Sequence, residues 1–239
     1  MVCILDFLMP LPDKKFCVII PAFNNESTVS IVVEKAKREI PHVVVLDDGS
    51  TDQSVTAAEA AGAKVIRISK NKGKGNTLRV AFRYAVKNDF DAIITLDADL
   101  QHDPSEIPKF IDYYTRHHAK IVIGNRMQAK DTIPRIRYGP NKVGAILFSR
   151  LIHQAIEDSQ CGFRLYDRQV MENIHILNVG FEAEADILLR AGKRGYRIGF
   201  VPIQAIYFPD RRHISYYRPI KDTFRISIIF LMNLFWKDR

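Results

Sequence analysis

Ile93-Ile94-Thr95-Leu96-Asp97-Ala98-Asp99-Leu100-Gln101 runs four apolar or β-branched residues straight into two carboxylates separated by one alanine. The stretch reads as a buried strand over 91–96 that delivers the acids. If the strand persists to Asp99, its period of two turns both carboxylates to one side. Two adjacent acids repel and lose hydration, so a sheet does not hold them there unpaired. A divalent cation removes the objection. Mg²⁺ or Mn²⁺ takes hard oxygen ligands and is often held by one or two carboxylates, with the phosphates of a nucleotide completing the shell. The competing reading is a solvated turn, where Asp is common.

Working outward, strands and helices alternate through the first half. Phe16–Ile20 reads as a buried strand stopped by Pro21, with a helix capped by Ser27 or Thr28 after it. Strands are expected over 42–46, 64–68 and 119–124, and helices over 53–61 and 76–87. Asn71-Lys72-Gly73-Lys74-Gly75 is a glycine loop, and Asp103-Pro104 starts another helix. This alternation predicts an α/β fold with a mostly parallel central sheet flanked by helices, whose ligands sit beyond the carboxyl ends of the strands. Residues 21–26, 47–52, the glycine loop and the Asp97/Asp99 pair all fall at such ends. The second half is less regular: helices over 140–156 and 181–194, a loop and short strand over 158–166, an extended 197–206 and a helical tail over 219–236.

The chain has 239 residues with 47% hydrophobic and 26% charged, within the range of one large globular domain. Its net charge of +8 points to an anionic partner. The charge is uneven, with eight Lys or Arg from Lys193 to Arg225 against Asp210 and Asp222. Cys3, Cys17 and Cys161 show neither close pairing nor zinc-ligand spacing, which fits a reduced, cytoplasmic setting. Met1 to Pro12 lacks the basic start of a signal peptide, and no run reaches the ~20 apolar residues of a spanning helix. No aromatic-basic motif of a nucleic-acid reader occurs, so nucleic acid is not an expected partner.

The stretch Val18-Ile19-Ile20-Pro21-Ala22-Phe23-Asn24-Asn25-Glu26 resembles the opening of the glycosyltransferase family 2 enzymes. The resemblance continues in order through Val45 to Asp52, the 71–75 loop, Leu96-Asp97-Ala98-Asp99-Leu100-Gln101, Ile123-Gly124-Asn125-Arg126 and Gln160-Cys161-Gly162-Phe163-Arg164. It is strongest to the polyprenyl-phosphate sugar synthases, the dolichyl-phosphate mannose synthase type. It implies a single GT-A domain over 1–239: a nucleotide-sugar-binding half over 14–127, an acceptor-side half over 128–210 and a basic, apolar tail over 211–239. It also implies roles. Pro21, Phe23 and Glu26 line the nucleoside pocket, Asp48 (or Asp47) reads the base edge, and Lys74 and Arg126 face the diphosphate. Asp97 and Ala98 meet the nucleotide sugar, Asp99 is catalytic, and Asp97, Asp99 and Gln101 hold Mg²⁺ or Mn²⁺.

The expected reaction is metal-dependent, inverting transfer from a GDP- or UDP-sugar to a polyprenyl or dolichyl phosphate. A phosphate acceptor needs no general base, since its second pKa is about 6. It needs cations, which Arg164, Arg211 and Arg212 can supply, with Glu182, Glu184 and Ser215 supporting. The alternative is a soluble or glycan hydroxyl acceptor, with Asp158, Glu182 or Glu184 as base. A receiver-like Mg²⁺-binding signalling module is a remote alternative, since this chain is much longer than such a module. Basic residues around Ala145-Ile146-Leu147-Phe148, and the apolar tail, fit peripheral contact with the cytoplasmic membrane face. Core packing or a homo-oligomer interface competes for the same apolar surfaces.

Overall fold

A computed structural model describes residues 14–128, 133, 135–204 and 206. The amino-terminal stretch to Pro12, Arg211, Arg212, Ser215 and the tail over 219–236 lie outside the described residues. Those described contain a sheet of seven strands: β1 (Phe16–Ala22), β2 (Val43–Asp47), β3 (Lys64–Arg67), β4 (Ala92–Thr95), β5 (Ile121–Asn125), β6 (Arg164–Asp167) and β7 (Ile198–Pro202). The helices are α1 (Val29–Glu39), α2 (Ser54–Ala60), α3 (Lys74–Lys87), α4 (Ile107–His117), α5 (Arg135–Ile152), α6 (Arg168–Asn173) and α7 (Glu182–Lys193).

The strand order is β3-β2-β1-β4-β6-β5-β7, and every neighbouring pair is parallel except those made by β6. The expected mostly parallel α/β sheet is therefore present. β2 and β4 are buried along their whole length, which explains why their sequences read as continuous apolar runs rather than as alternation. Helices α1, α2 and α4 pack together, as do α3, α6, α7 and α5, so the sheet is flanked by two helical layers. The chain order reverses between β1 and β4, which opens a crevice at their carboxyl ends.

The antiparallel β6 is the feature that shapes this rim. Its first residue, Arg164, sits opposite Thr95, the last residue of β4. The loop over 160–163 therefore enters the sheet where Asp97 leaves it, and Thr95 Oγ1 donates to the Gly162 carbonyl at 3.2 Å.

Several boundaries differ from expectation for local reasons. β4 stops at Thr95, so a period of two does not orient Asp97 and Asp99. α3 starts at Lys74, two residues earlier than its apolar pattern suggests. α5 starts at Arg135, runs through Pro140 and ends at Ile152, where His153 turns left-handed at φ 54°. The unpredicted α6 is capped by Asp167, whose Oδ1 accepts from the Gln169 N–H at 2.8 Å.

Candidate active site

A cavity of about 350 Å³ opens at the carboxyl ends of β1 and β4. Pro21 near the end of β1 and Phe23 just beyond it form one wall, Asp48 and the glycine loop an adjoining one, and Asp97, Ala98, Asp99, Gln101 and His102 the rim. Arg126, Asn141, Gln160, Gly162, Phe181 and Glu184 complete it from the second half of the chain.

Asp48 pins the glycine loop against the end of β2. Its two carboxylate oxygens accept from the Lys72 N–H at 2.9 Å and the Gly73 N–H at 2.8 Å. Burial raises its pKa above the usual carboxylate value, against the pull of those two bonds. Gly73 takes φ 87°, and a Cβ there would run into the Val179 carbonyl. Glycine is thus required by both conformation and space. Asp47 does a different job from the one suggested for it. It is buried at 1% exposure, accepts from Ser50 N–H and pairs with Arg67, so it holds the turn and does not line the cavity. Glu26 also stands outside the cavity: it is exposed, and its Oε2 accepts from the Gln53 N–H at 2.9 Å, at the start of α2.

The rim acids are held differently from each other. Asp97 pairs with Lys74 at 2.8 Å and leaves 33% of its side chain open. Burial works against its charge, but the ammonium outweighs it and lowers the pKa. Lys74 also meets Glu184 at 3.1 Å, and its side chain is only 9% exposed. Burial disfavours its charge, yet the two carboxylates raise its pKa. The expected diphosphate cation is therefore held between two carboxylates. Asp99 Oδ1 accepts from the Gln101 N–H at 3.0 Å in a short side-chain turn, with Leu100 left-handed at φ 60°.

Gly162 lets the 160–163 loop lie against this cluster. A Cβ there would sit 2.6 Å from Asp97 Oδ2 and 2.8 Å from Lys74 Nζ. Gly162→Ala is expected to push the ion pair apart and weaken nucleotide binding about tenfold, or roughly 1.4 kcal/mol. Calorimetric titration with GDP and UDP checks this, and unchanged affinity for both would count against the close approach.

Two expected catalytic groups are structural. Asp158 is fully buried and accepts from Arg126 Nε at 2.8 Å and Nη2 at 3.0 Å, Asn141 Nδ2 at 2.7 Å, and the N–H groups of Gln160 and Cys161 at 3.0 Å. Burial opposes its charge, but Arg126 and these donors hold its pKa down to about 2. A carboxylate so saturated takes no proton from an acceptor at neutral pH. Its role is to aim Arg126, which reaches the cavity wall. Arg164 is likewise fully buried, and donates to the carbonyls of Cys161, Ser159 and Glu184 at 2.6, 2.9 and 3.0 Å. It ties the 159–161 loop to α7 and does not line the cavity. Arg164→Met should cost about 3–5 kcal/mol, because three buried carbonyls lose their charged donor. Urea unfolding measures it, and a loss below ~1 kcal/mol would contradict the bracing role.

Glu184 lines the cavity, whereas Glu182 turns back toward the Gly180 N–H at 3.3 Å. His102, not singled out from the sequence, is 3% exposed on the rim, with its Nε2 at 3.9 Å from Cys161 Sγ. Burial, with Arg126 facing it, pushes its pKa down to about 4, so the ring is neutral. Asn141 was equally invisible: its only signal is position in an amphipathic helix. Among the described residues no group of three or more His, Cys, Asp or Glu gathers for a metal ion, and no helix is long and apolar enough to cross a membrane.

Comparison with known proteins supplies the family. The model described as "Glycosyl transferase family 2" matches residues 17–175. Glycosyltransferase AglJ of Haloferax volcanii is 30% identical over 228 residues, covering 93% of this chain and 72% of the relative. A polyprenol monophosphomannose synthase of Mycolicibacterium smegmatis is 26% identical, covering 80% of this chain and 77% of the relative. Glucosyl-3-phosphoglycerate synthase from Mycobacterium tuberculosis, crystallised with Mn²⁺, UDP and phosphoglyceric acid, superposes with a TM-score of 0.75 at 19% identity. That superposition covers 95% of this chain and 80% of the synthase, and shows a shared GT-A fold. A glycosyltransferase acting on a nucleotide sugar is what the cavity, the fold and these relatives have in common, and the chain belongs to glycosyl transferase family 2.

Proposed function

We propose that the chain moves a sugar, with inversion, from a GDP- or UDP-sugar to a polyprenyl phosphate, assisted by Mg²⁺ or Mn²⁺. The observation that carries the acceptor class is the state of Asp158. The carboxylate best suited by sequence to deprotonate a hydroxyl is spent on Arg126, Asn141 and two backbone N–H groups. Glu184 is paired with Lys74, and Glu182 faces away from the cavity. A phosphate acceptor needs no base, because it is largely dianionic at neutral pH. Relatives named polyprenol monophosphomannose synthase and dodecaprenyl-phosphate galacturonate synthase support the same acceptor.

The residues present fit a divalent cation of the nucleotide-completed kind. Asp99 and Gln101 supply oxygens at the rim, and Asp97 adds a carboxylate if Lys74 releases it to stay with Glu184. Bound there, the cation supplies charge neutralisation for the departing diphosphate. The chain's own groups do the rest. Pro21, Phe23 and Asp48 hold the nucleoside, and the positive end of α3 faces the cavity through Lys74. Arg126, fixed by Asp158, presents charge to the phosphates or the incoming acceptor. One in-line displacement then inverts the anomeric carbon. Arg211 and Arg212 remain proposed acceptor-phosphate ligands.

Peripheral membrane contact is part of this proposal. On α5, Val143 and Ile146 are 57% and 46% exposed beside Lys142, an interfacial pattern that a homo-oligomer contact would also satisfy. A panel of labelled GDP- and UDP-sugars, offered with polyprenyl phosphate and Mn²⁺ or Mg²⁺, tests the function. Label in the organic phase is expected. Transfer only to soluble glycans would replace the lipid acceptor with a hydroxyl one.

A further inference from the structure

A second concavity lies between α3, α6 and the segment that follows α6, apart from the transferase cavity. Its floor includes Phe82, Val86, Met171 and Ile176, and its rim carries Arg79, Arg83 and Lys87. These three cations are spaced four residues apart and form one stripe down α3. Among the described residues none of them pairs with a carboxylate, and Arg79 Nε is buried without a hydrogen-bond partner. The acid on the same rim, Glu172, is taken by Arg168 at 2.6 Å. At one end, Leu177 and Val179 are 63% and 53% exposed. That end abuts the transferase site, since Val179 accepts from the Gly75 N–H and Phe181 lines the cavity.

A merely solvated helix face does not combine these features. Exposed helical cations gain from carboxylates one turn away, and α3 offers this stripe none. Two neighbouring large aliphatic side chains are also left in water. We propose that this groove docks an anionic phospholipid surface. Arg79, Arg83 and Lys87 engage headgroup phosphates, and Leu177 and Val179 enter the acyl boundary. Guanidinium forks match phosphate oxygens, and the long stems of Arg and Lys cover apolar surface while their charges stay among the headgroups. The complementarity is to a lipid surface, because the cations flank an apolar floor along one side and stand beside exposed aliphatics. The inference rests on the peripheral membrane contact proposed above and names a surface for it apart from α5, while its vesicle test is independent of sugar transfer. Docked this way, residues 177–181 would bring the cavity wall to the bilayer, where a lipid-linked acceptor resides.

The test is binding of the full chain to phosphatidylcholine vesicles with and without phosphatidylglycerol, in the absence of nucleotide and acceptor. Each cation near an anionic surface contributes about fivefold, so Arg83→Glu with Lys87→Glu should weaken binding roughly thirtyfold or more. Lys37→Glu with Arg38→Glu on α1 makes the same change in net charge and should leave binding near wild type. Leu177→Ser with Val179→Ser, which keeps every charge, should also weaken it. Transfer to a short, soluble prenyl phosphate should be unchanged in the α3 variant, which separates docking from catalysis. Undiminished vesicle binding by the α3 variant overturns the proposal. So does equal loss in the α1 control, which would reduce the effect to net charge, and so does absence of binding by the wild type. Melting curves monitor folding, and Arg83→Gln with Lys87→Gln replaces the reversal if it fails to fold.

Discussion

Asp99→Asn should lower kcat about a thousandfold, a loss of roughly 4 kcal/mol of transition-state stabilisation. The substitution is close to isosteric, and the amide oxygen can still accept from the Gln101 N–H, so the turn at the rim survives. What disappears is one of the rim's negative charges. Loss of a group that stabilises developing charge in a sheltered site commonly costs two to three orders of magnitude. The defect should fall on kcat and on Mn²⁺ dependence, with the proposed nucleoside contacts at Asp48 intact. Steady-state kinetics across Mn²⁺ concentrations checks it. A wild-type Mn²⁺ response with a merely raised KM would show that Asp99 only binds substrate.

The second large effect concerns stability. Asp158→Ala removes the carboxylate on which Arg126, Asn141 and the 160–161 backbone converge, leaving an arginine with an 11% exposed side chain without that partner. Breaking such a pair from one side typically costs about 3–5 kcal/mol, which for a chain this long lowers Tm by about 10 °C. The pH dependence follows from the same group. Its folded pKa of about 2 lies below the unfolded value near 4, so its contribution is present above about pH 5. It is lost as pH falls toward 2, and the wild type should lose ~2–3 kcal/mol there that Asp158→Ala does not. Urea unfolding at pH 7 and pH 2 separates the two. A parallel pH response in both proteins would mean that Asp158 is not the group concerned.

Much of the fold is legible in the chain because the central parallel strands β1, β2 and β4 are buried on both faces. Phe16–Ile20 and the run from Ala92 admit no residue that would contradict a strand, although β1 continues to Ala22, past the expected stop at Pro21, and β4 ends at Thr95, short of the acids. β6 is not legible in the same way. Arg164-Leu165-Tyr166-Asp167 is four residues with charged ends, and its direction depends on neighbours far along the chain. The cavity's membership is largely written in local motifs: Pro21, Phe23, Asp48, Lys74, Asp97, Asp99, Gln101 and Arg126 all line it. Their charge states are not. Nothing local to Lys74 shows that Asp97 and Glu184 will both close on it, or that Arg164 will spend itself on three carbonyls. Burial of a charge is a property of the assembled layers, whereas a motif records only residue type and spacing.

The rim at Asp97 to Gln101 is proposed to bind a nucleotide diphosphate through a divalent cation. Calorimetric titration of the wild type with GDP and UDP, in Mn²⁺ and again in EDTA, addresses it directly. Binding of one nucleotide at least tenfold tighter with Mn²⁺, and abolition of that difference by Asp99→Asn, is the predicted result. Equal affinity in Mn²⁺ and in EDTA would contradict it.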